Sequence, residues 1–264
     1  MPKTADEVTV KQVHIKDDFW SEIQNRIINV VIPFQEHVLN DEVEGVAKSH
    51  AIENFRIAAG LSTGEFYGMV FQDSDVAKWL EGVAYSLTVK PDAALEKRAD
   101  DIIDIIEKAQ QPDGYLNTYF TIKEPEHRWQ NLQECHELYC AGHMMEAAVA
   151  YYQATGKDKL LHVMERMADH IISRFGEGKE RGKNPNYFYE EKQKRGWIHF
   201  GQYGMDPLDT KYAQVYKPIY EQDKAVGHAV RATYMYTAMA DLAGEDNDEK
   251  LYQACKRLWN NIVN

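Results

Sequence analysis

The chain has few cysteines and lacks a long apolar run, and each absence restricts what it can be. Cys135, Cys140 and Cys255 are the only cysteines among 264 residues, which is too few for a disulfide framework and fits a reducing cytoplasm. No apolar run approaches the roughly 20 residues that span a bilayer. Residues 1–6 carry no hydrophobic signal core. A cytoplasmic protein with no membrane partner is therefore expected.

Positive charge is also scarce relative to negative charge. Lys and Arg number 30 against 42 Asp and Glu, so the net charge is -12, and a nucleic-acid partner is not expected. The sequence has no phosphate-binding loop, nucleotide fingerprint, Ser-His-Asp arrangement or paired-cysteine metal site. His136 and His143 lie about two helical turns apart, which is too far for a shared metal ion.

One structural motif, a helical hairpin, occurs three times in the chain. A helix rich in small residues, a short polar turn and an amphipathic helix recur at residues 84–109, 147–175 and 236–263. Such recurrence is typical of stacked or ring-closed helix pairs, in which small-residue helices lie inside. The loops at one end of such a ring can line a pit for a small molecule. Residues 8–15 are β-branched and partly alternating, which predicts a short N-terminal strand.

Polar and aromatic residues meet at the start of one inner helix. Gln72, Asp73 and Asp75 lie between Phe71 and Trp79. One interpretation is that Asp73 or the following serine caps the helix. The other is that the carboxylates and the amide bind sugar hydroxyls beside the aromatic rings. Both interpretations remain open on the sequence alone.

Three further segments offer candidate binding residues. The turn at 110–117 either stops a helix or presents Gln111 and Tyr115 to the pit. His136 and Glu137 open another helix. His228 lies at the equivalent point of the third hairpin, so His136 and His228 are predicted to converge on one pit with the residues around position 72.

Together these segments resemble the β-L-arabinofuranosidases of glycoside hydrolase family 127. The resemblance rests, in chain order, on residues 31–35, 68–79, 109–116, 135–137 and 223–231. It implies an all-α fold, an (α/α)6 toroid of helical hairpins, followed by β-sandwich domains. It also implies retaining hydrolysis of β-linked L-arabinofuranosides by a cysteine nucleophile in a zinc site of one Glu and three Cys, with a separate Glu as acid/base.

The resemblance extends only to the N-terminal part of the family's catalytic barrel. Residues 1–264 are therefore expected to form a single, incomplete barrel domain with a hairpin missing near residues 178–183. The family's nucleophile, acid/base and zinc ligands match positions beyond Asn264, so no catalytic residue, metal ligand or cofactor is expected here. The expected substrate-binding residues are His136, His228, Gln72, Asp73, Asp75, Gln111, Tyr115 and Glu137.

The expected partner is a small oligosaccharide or L-arabinofuranoside of plant origin. Self-association through the open barrel is a second expectation, because an incomplete ring exposes apolar surface. The alternative function is a non-catalytic helical-repeat scaffold or a truncated pseudoenzyme.

Overall fold

The computed structural model describes residues 8–132, 135–175, 211–212 and 214–264. The chain divides into two compact units, Val8–Pro185 and Asn186–Asn264, the second of which includes the first seven residues. The described ranges are helical and contain no strand, which confirms the all-α prediction. The hairpin expected to be missing near residues 178–183 lies outside the described residues, and the assignment of one domain to residues 1–264 stays a prediction.

The first unit begins with an interrupted helix and continues through hairpins. Its helices are α1 (Trp20–Arg26), α2 (Ile32–Leu39), α3 (Ala51–Ala58), α4 (Asp73–Val89), α5 (Ala93–Ala109), α6 (Thr118–Ile122), α7 (Glu137–Thr155) and α8 (Lys159–Arg174). A π-helical turn, Ile27–Val31, joins α1 to α2. Pro33 at the start of α2 has no N–H, so the wider turn accommodates a missing helical hydrogen bond.

The strand predicted at residues 8–15 is wrong. Val10–Gln12 forms a 3-10 turn instead. Thr9 and Val13 on either side are extended, but no described strand lies beside them to accept their hydrogen bonds. The apolar side chains of this segment are exposed, including Val8 at 67%. The alternating β-branched residues therefore form a 3-10 turn between extended residues and no sheet.

Helices α4 and α7 form the centre of the first unit. They make its most extensive helix–helix contact, and small side chains at the contact allow a close approach. Ala77, Ala84, Ala147 and Ala148 are buried between larger apolar residues. Helices α5 and α8 pack outside through amphipathic faces. The prediction of small-residue inner helices and amphipathic outer helices is thus confirmed for this unit.

The hairpin turns are fixed by caps that the sequence carries. The Asp92 carboxylate accepts hydrogen bonds from the N–H groups of Ala94 and Leu95 at the start of α5. Gly156 ends α7 in the left-handed conformation, at φ 77°, which glycine adopts without a steric penalty.

The second unit contains the third hairpin. Its helices are α9 (Ala229–Glu245) and α10 (Glu249–Val263), and the Asp248 carboxylate caps α10. Their shared core consists of Met239, Ala243, Leu251, Ala254 and Leu258. Among the described residues of both units, no helix is both long and apolar enough to cross a membrane.

Candidate functional site

A cleft lies beside the start of α4 in the first unit. Its volume is about 480 Å³, within the usual range of small-molecule sites. Side chains of α2, α4 and the segment before α3 line it, and both apolar and polar groups are present: Phe34, Gln35, Val38, Leu39, Ser49, Gln72, Asp75, Lys78 and Trp79. Two of the predicted binding residues, Gln72 and Asp75, are therefore brought to one cleft.

Both the nitrogen and the oxygen of the Gln72 side-chain amide make hydrogen bonds. Its Nε2 donates to Asp75 Oδ2 at 2.9 Å and to Ser49 Oγ at 3.3 Å, and its Oε1 accepts from the Met69 N–H at 3.2 Å. Trp79 closes the floor of the cleft, and its indole N–H donates to the Ile32 carbonyl at 3.1 Å. These bonds fix an amide, a carboxylate and a hydroxyl at one wall, which is the group set that binds sugar hydroxyls.

Asp73 is buried and is not among the residues that line the cleft. It is 4% exposed, and its carboxylate accepts hydrogen bonds from the Thr118 N–H, at 2.8 Å, and from the Thr118 hydroxyl. The capping interpretation is not what occurs either, because α4 begins at Asp73 itself and its N-cap residue, Gln72, makes no side-chain cap bond. Burial raises the pKa of Asp73 to about 6, against the lowering effect of the Thr118 bonds.

His136 lies at the start of α7, at the same end as the start of α4. Its ring contacts Phe71, with the centroids 5.1 Å apart, and Tyr139, at 5.5 Å. The His136 backbone is left-handed, with φ 54°, which is uncommon for a residue with a side chain and often marks a functional position. The parallel placement of α4 and α7 thus brings His136 beside the residue that precedes Gln72.

Lys78 connects the two helix starts. Its Nζ donates to the Tyr139 hydroxyl at 2.7 Å, across from α4 to α7. Lys78 also lines the cleft with Asp75. The Tyr139 ring in turn contacts His143, which is buried and lies 3.0 Å from Glu146. His143 is therefore a buried core histidine that contacts Tyr139 and lies beside Glu146.

Tyr115 and Glu137 are internal rather than exposed in the cleft. They are 0% and 1% exposed, and the Tyr115 hydroxyl donates to Glu137 Oε1 at 2.5 Å. Gln111 lies in the turn after α5, where its Nε2 donates to the Ala109 carbonyl at 3.0 Å. Tyr115 and Glu137 stabilise the segment before α7, and Gln111 stabilises the turn that ends α5. The expected contact of all three residues with sugar stays a prediction.

His228 belongs to the second unit and is exposed at the start of α9. Its Nδ1 accepts from the Arg231 N–H at 3.4 Å, and its ring contacts Tyr212. Buried Gln214 anchors the preceding loop, donating to the carbonyls of Tyr212 and Val226. The convergence of His228 with His136 spans the two units and stays a prediction.

The cysteines do not fit the zinc site that the resemblance implies. Cys135 and Cys140 are buried, as is typical of structural thiols, and Cys255 is half-buried. Burial raises the pKa of Cys140 and, less strongly, that of Cys255. Within the described ranges, the group of three or more potential ligands that lie close together is Glu124, Glu126 and His127. It contains no cysteine, and no reaction step is assigned to a metal here.

Three polar residues of the cleft, Gln35, Ser49 and Lys78, were absent from the predicted set. Gln35 and Lys78 lie inside the segments that carried the resemblance, at 31–35 and 68–79, so a signal for them was present. Ser49 had no such signal, because only the packing of the α2–α3 connection brings its hydroxyl to Gln72.

The helical hairpins and the polar, aromatic-lined cleft are typical of one class of protein, the α/α-toroid glycosidases. Residues 12–264 match the family model described as beta-L-arabinofuranosidase, GH127 catalytic domain. The chain belongs to glycoside hydrolase family 127.

Known relatives share this fold and are longer. The non-reducing end beta-L-arabinofuranosidase of Bifidobacterium longum subsp. longum is 37% identical over an alignment 303 residues long. The alignment covers 95% of this chain and 46% of the relative. The crystal structure of a GH127 beta-L-arabinofuranosidase from Geobacillus stearothermophilus T6 is 49% identical, with a TM-score of 0.85, over 95% of this chain and 45% of that one. A second GH127 beta-arabinofuranosidase structure is 34% identical, with a TM-score of 0.76, over 96% and 43%. The chain thus spans less than half the length of these relatives.

Proposed function

We propose that this chain binds the L-arabinofuranosyl group of a small oligosaccharide or L-arabinofuranoside in the cleft beside α4. The observation that carries the proposal is the cleft wall, where the Gln72 amide donates hydrogen bonds to both Asp75 and Ser49 beside Trp79 and Phe34. Each amide or carboxylate there retains capacity for a further hydrogen bond. The name of the Bifidobacterium relative supports a terminal L-arabinofuranose as the sugar.

The proposed contacts divide into two groups. Gln72 and Asp75 meet the sugar directly, together with His136 at the start of α7. The predicted sugar contact of His228, which belongs to the second unit, stays a prediction. Asp73, Gln111, Tyr115 and Glu137 support these residues from within, because their hydrogen bonds go to backbone and to buried side chains.

Binding of L-arabinose tests the proposal. Gln72→Ala should weaken the affinity about three- to tenfold, since one neutral hydrogen bond contributes roughly 0.5–1.5 kcal/mol. Gln253→Ala is the matched control, because the Gln253 amide makes a similar bond to Glu249, at 2.7 Å, on the exposed face of α10. Calorimetry or ligand-observed NMR that detects equal affinities for both variants and the parent would contradict the cleft assignment.

We propose further that these 264 residues alone do not hydrolyse the glycoside. A retaining glycosidase requires a nucleophile and an acid/base group about 5 Å apart, and a reactive cysteine requires a lowered pKa and access to solvent. Burial and the raised pKa of Cys140 argue against that role. Release of the aryl group from an aryl β-L-arabinofuranoside by the purified chain would show that the site is complete.

We propose that the isolated chain self-associates, because large apolar side chains such as Trp20 and Trp259 are exposed, at 57% and 65%. A cytoplasmic location and the absence of bound zinc also stay predictions. The scaffold alternative gains no specific support from the described residues, whereas the cleft supports sugar binding.

A further inference from the structure

The start of α7 combines a strained residue with a buried one. His136 adopts φ 54° and is half-buried, and the next residue, Glu137, is 1% exposed. Neighbouring side chains at a helix start point to different sides, so the carboxylate lies inside while the imidazole lies near the surface. Whatever fixes Glu137 therefore also fixes the backbone of His136.

Glu137 is fixed by hydrogen bonds from two other segments. The Trp129 backbone N–H donates to Oε2 at 2.9 Å and to Oε1 at 3.0 Å. The Tyr115 hydroxyl donates to Oε1 at 2.5 Å. Burial and the neighbouring Glu137 raise the pKa of Tyr115, so the phenol keeps its proton and remains a donor at neutral pH.

The chain of hydrogen bonds continues to α8, the outer helix of the same hairpin as α7. The Trp129 indole N–H donates to His170 Nε2 at 3.1 Å, and His170 Nδ1 donates to the Asp113 carbonyl at 2.9 Å. One tautomer of His170, with its proton on Nδ1, satisfies both bonds. Trp129 is itself left-handed, with φ 61°, so two strained residues are held by one carboxylate.

We propose that Glu137 and Tyr115 are positioning residues that hold the His136 ring between Phe71 and Tyr139 from inside the protein. Their effect on sugar binding is exerted through His136. The importance of this for binding rests on the proposed function, in which His136 is a sugar contact. Loss of the Glu137 carboxylate or of the Tyr115 hydroxyl lets the start of α7 relax, and the His136 imidazole leaves its place beside the cleft residues.

The test compares two buried tyrosines in the full 264-residue chain. Tyr115→Phe removes the hydroxyl that donates to Glu137. Tyr151→Phe is the matched control, because Tyr151 is also buried and donates to the Asp100 carboxylate at 2.7 Å, near the other end of α7. Glu137→Gln is the second variant, since a neutral amide offers one acceptor where two are used.

Two measurements are made on each folded variant. The first is the NMR position and titration midpoint of the His136 ring, assigned by its loss in His136→Ala. The second is the dissociation constant for L-arabinose. We expect Tyr115→Phe and Glu137→Gln to shift the ring signal and to weaken L-arabinose binding about three- to tenfold, as for one lost hydrogen bond. Tyr151→Phe should change neither.

The outcomes separate the two proposals. An unchanged His136 signal in Tyr115→Phe overturns the positioning role, even if Glu137→Gln fails to fold. A signal that shifts equally in Tyr151→Phe overturns it as well, because the effect is then general destabilisation. If the parent chain binds no L-arabinose, the proposed function fails, while the ring signal still decides the positioning role.

Discussion

Replacing Asp73 with asparagine should stabilise the chain at neutral pH and change it little in acid. The side chain is 4% exposed, and its carboxyl bonds only to Thr118 among the described contacts. Asparagine has nearly the same shape and no charge. Its carbonyl can accept from the Thr118 N–H, and its amide can donate to the Thr118 hydroxyl, so both contacts survive the substitution.

The size of the effect follows from the pKa. Burial raises the pKa of Asp73 from 3.8 to about 6, and a difference of that size corresponds to about 3 kcal/mol. A carboxyl whose pKa is higher in the folded state stabilises the fold in its protonated form. That contribution is complete below the unfolded-state pKa and is lost as the pH rises through about 6. Asparagine does not titrate, so residue 73 of the variant loses no stabilising contribution over this pH range.

The assay is urea unfolding of the parent and Asp73→Asn at a series of pH values. We expect similar free energies of unfolding below about pH 4 and an advantage for the variant that grows by about 2–3 kcal/mol toward pH 7. Using the difference between the two proteins cancels the titration of all other groups.

Asp92→Asn is a control whose stability difference from the parent should change with pH in the opposite direction. The backbone hydrogen bonds of Asp92 to Leu95 and Ala94 lower its pKa, so Asp92→Asn should lose stability relative to the parent as the pH rises. If Asp73→Asn behaves like Asp92→Asn, the Thr118 hydrogen bonds outweigh burial and the reasoning about Asp73 is refuted.

Three further predictions concern a glycine, the thiols and zinc. Gly227→Ala should destabilise the second unit by more than about 2 kcal/mol, since Gly227 has φ 83° and a Cβ there would lie 2.0 Å from the Lys211 carbonyl oxygen. Gly244→Ala, inside α9 with no described atom within 4 Å of the added Cβ, should stabilise the chain by about 0.5–1 kcal/mol. Urea unfolding measures both glycine variants. Cys140 should react with a thiol reagent only on unfolding because it is buried with a raised pKa, and rapid labelling of the native chain would contradict that placement. Elemental analysis should find no stoichiometric zinc, since four close ligands are needed, and one zinc per chain would show that the ligand assignment is wrong.

Local patterns in the sequence were sufficient to predict the helical hairpins. Helical periodicity depends on neighbours within a turn or two, so the three helical hairpins and their turns were confirmed. The placement of small-residue helices inside and amphipathic helices outside was confirmed for the first unit. The strand at residues 8–15 was predicted from the same kind of pattern and was wrong. A strand requires hydrogen-bonding partners from another segment, and alternation in one segment cannot supply them.

The candidate site was only partly accessible to such reasoning. The sequence alone placed Gln72, Asp75 and His136 at helix starts. The resemblance to glycoside hydrolase family 127 supported their assignment to sugar binding. Tertiary packing decided which side chains reach the cleft. It buried Asp73 against Thr118 and Glu137 against Tyr115, and it brought Ser49 to Gln72. Residues at one helix start are adjacent in the chain but face different sides, and the side that becomes interior depends on segments tens of residues away.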